Sequence, residues 1–380
     1  MKIGIFGGSF DPVHVEHVHM AKAAIEELGL DRLYVVPSYL APHKQNGAVA
    51  SGEERLEACR IAFRELHNVE VSDLEILAEG TSYSYLTCRA FQERFPSAQL
   101  FFLVGADMLE NFFSWKNPSD ILNRVTLVAC GRGNAGTEEY QRRFQEEFGK
   151  EYLQLSFCGR AVSSTRIRVD LAFGKRTEML DDNVRAYLDG RGTYAYPCIQ
   201  SALALLKPSR AEHSYRVAVM AAERAKSVGV SQEKAILASA LHDCGKYLNT
   251  ESELLKGFSV EKDVPPPVVH QFSSAYLAEH AFGITDEEIL DAVCYHTSGK
   301  AGMSTLSKLI YLCDLLEDGR EFEGIAPLRE AFYRDLDECF FLALRHQLQY
   351  LSMSGKPVYS LTEEAYRYEL NKKGEGYERL

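Results

Sequence analysis

Met1-Lys2-Ile3-Gly4-Ile5-Phe6-Gly7-Gly8-Ser9-Phe10-Asp11-Pro12-Val13-His14-Val15-Glu16-His17 opens the chain. Ile3–Phe6 is a short apolar run of the kind that forms a strand. Gly7 and Gly8 end it, and an amphipathic stretch over Val18–Leu28 predicts a helix. Strand, glycine turn and helix in that order make the first unit of an α/β sheet. The same alternation continues outward. Further strands are predicted at Leu33–Val36, Val69–Val71, Leu100–Val104, Thr126–Ala129 and Leu153–Phe157, with another helix at Arg55–Phe63. Ser51 and Glu54 form a capping box ahead of that helix. Strands alternating with helices imply a doubly wound parallel sheet covered on both faces.

Beyond Tyr194 strand-like runs stop and helical periodicity takes over, so the second half reads as all-α. The 380 residues exceed one ordinary core and fit two domains, 1–195 and 196–370, divided near Tyr196-Pro197. Pro265-Pro266-Pro267 reads as a loop, and a polar tail from Asn371, residues 371–380, as frayed. A net charge of -12 without a dense Lys/Arg block argues against a nucleic-acid partner. No apolar run approaches the roughly 20 residues that span a bilayer, so no membrane partner is expected. Nine cysteines without a CxxC pair suggest reduced thiols and a cytoplasmic setting.

In an open α/β sheet ligands bind beyond the carboxyl ends of the strands. Gly7, Gly8, Ser9 and Phe10 lie there, where glycine lets backbone N–H groups approach a phosphate beside a helix N-terminus. His14 and His17 are one helical turn apart, and two imidazoles beside a polyphosphate suit charge stabilisation. Lys44 in Pro42-His43-Lys44 can reach a phosphate. Ser163, Ser164 and Thr165 open a later helix, and Arg168 can clamp an anion. Gly105 and Asp107 end the fourth predicted strand, and the one tryptophan, Trp115, can pack in the core or stack on an aromatic base.

GGSFDPVH, VPSYLAPHK, Ser82-Tyr83-Ser84, VGADMLENFFSW and SSTRIR together resemble the bacterial nicotinate mononucleotide adenylyltransferases of the HxGH nucleotidyltransferase superfamily, from Met1 to about Tyr194. The resemblance implies in-line attack of the mononucleotide phosphate on the α-phosphate of ATP, with Mg²⁺, giving deamido-NAD and pyrophosphate. It puts His14 and His17 on the ATP phosphates, with Lys44 and Arg168 assisting. Asp107 would hold the ATP side, Trp115 would stack on the nicotinate ring, and Ser82 and Tyr83 belong to the binding segments. One position departs from the family: Glu16 stands where a glycine is usual. A carboxylate about 4 Å from a phosphate costs about 4 kcal/mol at an effective dielectric of 20. Either Glu16 weakens ATP binding, or its side chain points away, about 100° round the helix from His17.

The second half carries His213, His242, Asp243, His270, His296 and Asp314, spaced so that several helices can point them at one centre. Imidazole and carboxylate donors without thiolate suit Fe, Mn, Co or Zn, and six ligands suit two metals bridged by Asp243. Lys246 lies one turn beyond His242 and can bind a substrate phosphate. Cys244, Cys294 and Cys313 flank ligands but read as core. RAEHSYRVA, LHDCGK, VVHQ, CYHTSG and LSKLIYLCDLLEDGREFEG resemble the HD superfamily, and within it the YqeK group that cleaves diadenosine tetraphosphate into two ADP. That resemblance implies a dimetal centre, iron for preference, and makes Arg320 a phosphate contact. Two alternatives stay open: a first domain that only binds nucleotide, weakened by Glu16, and an HD domain acting on another nucleotide.

Overall fold

The computed structural model describes residues 1–40, 48–131, 137–157, 159–160, 162–249 and 251–373, apart from the Asp107 side chain. The chain forms two compact units, Met1–Arg168 with Arg176–Tyr194, and Val169–Lys175 with Ala195–Leu380.

The first unit is built on a six-stranded sheet in the order β3-β2-β1-β4-β5-β6. The strands are β1 (Lys2–Gly8), β2 (Arg32–Pro37), β3 (Val69–Val71), β4 (Gln99–Gly105), β5 (Thr126–Cys130) and β6 (Leu153–Gln154). Every neighbouring pair is parallel, with Ile5 opposite Tyr34 on one side and Phe102 on the other. Ile3, Ile5, Leu33, Val35 and Leu103 are fully buried, the near-continuous apolar run that a sheet covered on both faces requires. β6 is shorter than its sequence pattern suggests, because it lies at the sheet edge and pairs only with β5. The Gly52–Phe63 helix starts in the expected capping box, with Ser51 Oγ accepting from Glu54 N–H and Glu54 Oε2 from Ser51 N–H. Chain order reverses between β1, which runs on to β2, and β4, which runs on to β5. The crevice beyond Gly8 and Gly105 is therefore the switch point where α/β ligands bind.

The second unit is all-helical among the described residues. Its core packs the helices Pro208–Ala225, Gln232–Leu241, Val269–His280, Glu287–Cys294, Thr305–Leu316 and Leu336–Met353 around Val217, Leu241, Leu309, Leu312 and Phe340. Val169–Lys175 belongs to this unit because Val169, Ala172 and Phe173 bury themselves with Ile199, Tyr215 and Ala218. The last helix, Ser360–Lys373, extends through Asn371, Lys372 and Lys373, which the sequence pattern places in a tail. Thr362, Ala365, Tyr366 and Glu369 anchor it, with Lys308 Nζ 2.9 Å from Glu369 Oε1. Residues 374–380 lie outside the described residues. No helix among the described residues is long and apolar enough to cross a membrane. The described cysteines are free thiols; Cys244 and Cys313 are fully buried and Cys294 partly.

Candidate active sites

In the first unit the β1 strand ends in a tight turn at Phe10, whose φ is +48°, and the helix Val15–Leu28 begins at its N-cap, His14. His17 falls on the third helical residue, so the two imidazoles stack with centroids 3.7 Å apart. His14 N–H donates to His17 Nδ1 at 3.1 Å. That bond leaves the His17 proton on Nε2, a neutral donor. Burial pushes the His14 imidazole down to about 4, with Glu16 opposing, and burial followed by His14 pushes His17 well below its ordinary value. Two stacked imidazoles are thus uncharged at neutral pH and can donate to a phosphate without a standing charge to desolvate.

This pair lines a cavity of about 1070 Å³ at the switch point. Gly7, Gly8, Ser9 and Phe10 form one wall with them, and Ser82, Tyr83, Gly105, Trp115 and Ser164 complete the set that sequence reading selects and the fold brings together. Trp115 Nε1 is buried without a hydrogen-bond partner. Lys44 lies outside the described residues, as does the Asp107 side chain. Arg168 is not brought to the cavity wall. It is 5% exposed, donates to the Asp11 carbonyl and to Thr165 Oγ1, and lies 3.7 Å from the Asp11 carboxylate. Its clamp is internal because a buried guanidinium needs a fixed acceptor set. Thr165 serves that bond, and Ser163 Oγ accepts from Arg166 N–H as a helix cap, so neither lines the cavity.

Sequence reading missed the groups beneath the loop. Asp11, 3% exposed, accepts from Val49 N–H, Ala50 N–H and Tyr194 Oη. Arg55, 2% exposed, donates to the Ser9 and Ala50 carbonyls. Asp11 meets partners 38, 39 and 183 positions away and Arg55 meets Ser9 across 46, separations that spacing along the chain does not reveal. Glu16 lines the same cavity, but its carboxylate is already engaged. Its carboxylate meets Arg160 N–H at 3.0 Å and His19 Nδ1 at 3.2 Å.

The neutral histidines carry a stability consequence. The unfolded chain protonates His14 near 6.5, the ordinary imidazole value, whereas the folded cavity resists protonation down to about 4. The folded-state value is depressed, so its contribution is complete above 6.5 and is lost as pH falls from 6.5 toward 4. His14→Gln is expected to flatten that loss by up to about 3 kcal/mol. Denaturant titrations followed by Trp115 fluorescence at several pH values measure it; equal pH slopes in both proteins would refute it.

In the second unit, His213 lies within Pro208–Ala225, His270 in the first turn of Val269–His280 and Asp314 within Thr305–Leu316. His242, Asp243 and His296 are not on helices as expected but in turns just beyond helix ends. The last carbonyls of a helix lack internal partners, and here they take imidazole protons. His242 Nδ1 bonds Ser239 O at 2.6 Å and His296 Nδ1 bonds Val293 O at 2.8 Å. His213 Nδ1 is 3.0 Å from Glu317 Oε1. All three Nε2 lone pairs then face inward, the tautomer that metal ligation needs.

The candidate ligand atoms converge. His213, His242 and Asp314 offer donor atoms within 4.8 Å of one another, and so do His242, Asp243 and His296. His270 Nε2 lies 3.1 Å from Asp243 Oδ1 and 3.1 Å from His296 Nε2. His213 Nε2, His242 Nε2 and Asp243 Oδ2 are buried without a hydrogen bond of acceptable geometry, although Asp314 Oδ1 is 2.9 Å from the first and Arg210 Nη1 3.0 Å from the last. Close approach without hydrogen-bond alignment is what atoms aimed at a shared cation show. Buried lone pairs of this kind are unfavourable unless they coordinate, so the donor set fits a divalent metal. Burial, the largest influence on Asp243, opposes its ionisation, yet His242, His270 and His296 together hold the carboxyl far below the usual range.

Lys246 Nζ contacts Asp243 Oδ1 at 2.9 Å, and Arg320 Nη2 contacts Asp314 Oδ1 at 2.7 Å. Both expected phosphate contacts therefore rest on carboxylates of the candidate ligand set. Two residues were missed: Arg210, one turn before His213, and Glu317, which also accepts from Arg216 and from Gly319 N–H. Arg210 lies in RAEHSYRVA and Glu317 in LSKLIYLCDLLEDGREFEG, two of the stretches that carry the HD resemblance.

The chain matches a cytidylyltransferase-like family model over residues 5–170 and an HD domain model over 210–319. A Mycoplasma pneumoniae protein named "Probable nicotinate-nucleotide adenylyltransferase/Ap4A hydrolase" is 30% identical over 352 residues, covering 90% of this chain and 98% of that one. A Mycoplasma genitalium protein of the same name is 28% identical over 325 residues, covering 85% and 89%. A Listeria innocua protein named as a nicotinate-nucleotide adenylyltransferase is 32% identical over 193 residues, 51% of this chain and 97% of that one.

Proposed function

The chain belongs to the nicotinate-nucleotide adenylyltransferase/Ap4A hydrolase family, and from that premise we propose that it performs two reactions. The first unit transfers the adenylyl group of ATP, with Mg²⁺, to nicotinate mononucleotide, giving deamido-NAD and pyrophosphate. The second hydrolyses diadenosine tetraphosphate symmetrically to two ADP. The observation that carries the first reading is the stacked, neutral His14–His17 pair on the wall of the switch-point cavity. The mononucleotide phosphate attacks the α-phosphorus in line, a P–O bond forms as the bond to the β-phosphate oxygen breaks, and pyrophosphate leaves. His14 and His17 donate to the phosphate oxygens on which charge accumulates. The Gly7–Ser9 backbone lets the triphosphate lie close, Ser164 helps receive it, and Trp115 offers its ring face to the pyridine. Lys44, Asp107, Ser82 and Tyr83 complete the proposed binding set.

In the second unit His213, His242, Asp243, His270, His296 and Asp314 would hold two divalent ions, with iron preferred over Mn, Co or Zn. Bound there, such ions supply hydroxide near neutral pH and neutralise phosphate charge. Glu317 and the helix-end carbonyls keep the imidazole lone pairs inward. Arg210, Lys246 and Arg320 have side chains 21%, 28% and 37% exposed, so these cations can meet a polyphosphate. Reduced thiols and small nucleotide substrates agree with a cytoplasmic enzyme.

The test is product identity for the intact chain. With ATP and nicotinate mononucleotide, pyrophosphate and deamido-NAD are expected in equal amounts. With diadenosine tetraphosphate, ADP alone is expected. AMP plus ATP would contradict symmetrical cleavage, faster turnover of a guanosine alarmone would reassign the hydrolase substrate, and no pyrophosphate would leave the first unit a binding module.

A further inference from the structure

Among the described residues lining the first unit's cavity, two side chains are cationic, Lys116 and Arg160. Lys116 Nζ stands 4.1 Å from the centroid of the Tyr83 ring. Arg160 shares its stretch of wall with Phe157, Gly159 and Ser164, while Arg168 is turned inward onto Asp11. What fixes Arg160 is Glu16. Oε2 of Glu16 accepts Arg160 N–H at 3.0 Å, and Oε1 lies 3.4 Å from Arg160 Nε. The Glu16 side chain is 9% exposed and that of Arg160 59%, so the carboxylate is the buried anchor and the guanidinium the accessible end. Gly159 is part of the fit: a Cβ there would stand 2.5 Å from Glu16 Oε2 and 2.9 Å from two atoms of the Phe157 ring. Burial is the largest influence on Glu16 and opposes its charge, but His19 and Arg160 outweigh it and keep the carboxyl below its ordinary value.

We propose that Glu16 is a positioning residue and Arg160 the phosphate-contacting cation it positions. The carboxylate ties the Gly159–Arg160 backbone to the start of the Val15–Leu28 helix, which sets the guanidinium on the cavity wall for the phosphates of a nucleoside triphosphate. The residue that departs from the usual glycine thus strengthens nucleotide binding, because its charge is taken up by Arg160 and His19 before a phosphate meets it. The inference rests on the adenylyl-transfer reading for its ligand.

Calorimetric titration of the full chain with MgATP tests it. Arg160→Ala and Glu16→Ala are each expected to weaken binding about fivefold to tenfold, the scale of one charge-assisted contact. Glu16→Gln should fall between, since its amide oxygen still accepts Arg160 N–H without the charge. Gly159→Ala should weaken binding as well, since its methyl group would meet both the Glu16 carboxylate and the Phe157 ring, and the double variant Glu16→Ala/Arg160→Ala should bind no worse than Arg160→Ala alone, because Glu16 acts through Arg160. In turnover the ATP KM should rise with kcat within about twofold. Unchanged or tighter MgATP binding in Glu16→Ala or Arg160→Ala overturns the proposal, as does full additivity in the double variant. Wild-type chain that binds MgATP but releases no pyrophosphate would sink the transfer reading and leave the pair standing.

Discussion

Asp243→Ala is expected to lower diadenosine tetraphosphate hydrolysis at least about a thousandfold, or about 4 kcal/mol of barrier, and to bring bound metal to background. Asp243 lies among three imidazoles: Oδ2 is 3.3 Å from His242 Nε2, and Oδ1 is 3.1 Å from His270 Nε2 and 3.6 Å from His296 Nε2. No other carboxylate among the candidate ligands meets all three. Removing the carboxylate leaves Arg210 and Lys246 without that partner and lowers stability, but their side chains, 21% and 28% exposed, reach water, so the fold should survive. Adenylyl transfer should be unchanged; its loss in a folded variant would mean that the two activities are coupled. Glu317→Gln gives the graded comparison. It leaves every donor atom but loosens the His213 tautomer, so metal affinity should drop about 10–100-fold, with hydrolysis restored at saturating metal. Metal analysis of dialysed protein reads both effects independently of turnover.

The second large effect belongs to the imidazole pair. His17→Ala is expected to lower kcat for adenylyl transfer about 10²–10³-fold, the scale for losing one preorganised donor to a charge that develops in the transition state. His14→Ala should do the same, and the double variant should fall well short of the product of the two losses. The rings are in contact, and His14 N–H sets the His17 tautomer, so they act as a unit. Diadenosine tetraphosphate hydrolysis serves as the internal control. Single variants with transfer rates within tenfold of wild type would rule out the donor role.

Part of this architecture is encoded locally and part is not. Ile3–Phe6 and Leu100–Val104 are legible as strands because burial on both faces leaves an unbroken apolar run. Ser51 and Glu54 are legible as a helix start because the capping partners are three residues apart. The six candidate ligands are legible because imidazole and carboxylate in apolar helical segments need a partner. In these cases the physical constraint acts over a few neighbouring residues.

By itself, then, the sequence determined the α/β sheet with its glycine loop, the helical second half and the list of groups able to do chemistry. Only the tertiary structure decided which way those groups face. His213 takes its tautomer from Glu317, 104 positions on, Glu16 is drawn to Arg160 across 144, and Arg168 is turned onto Asp11 across 157. Likewise, whether His242 and His296 sit on helices or just past their ends depends on where packing stops each helix and leaves a carbonyl free for an imidazole proton. A side chain's direction follows from partners that the completed fold brings within hydrogen-bond reach, and no local periodicity records them.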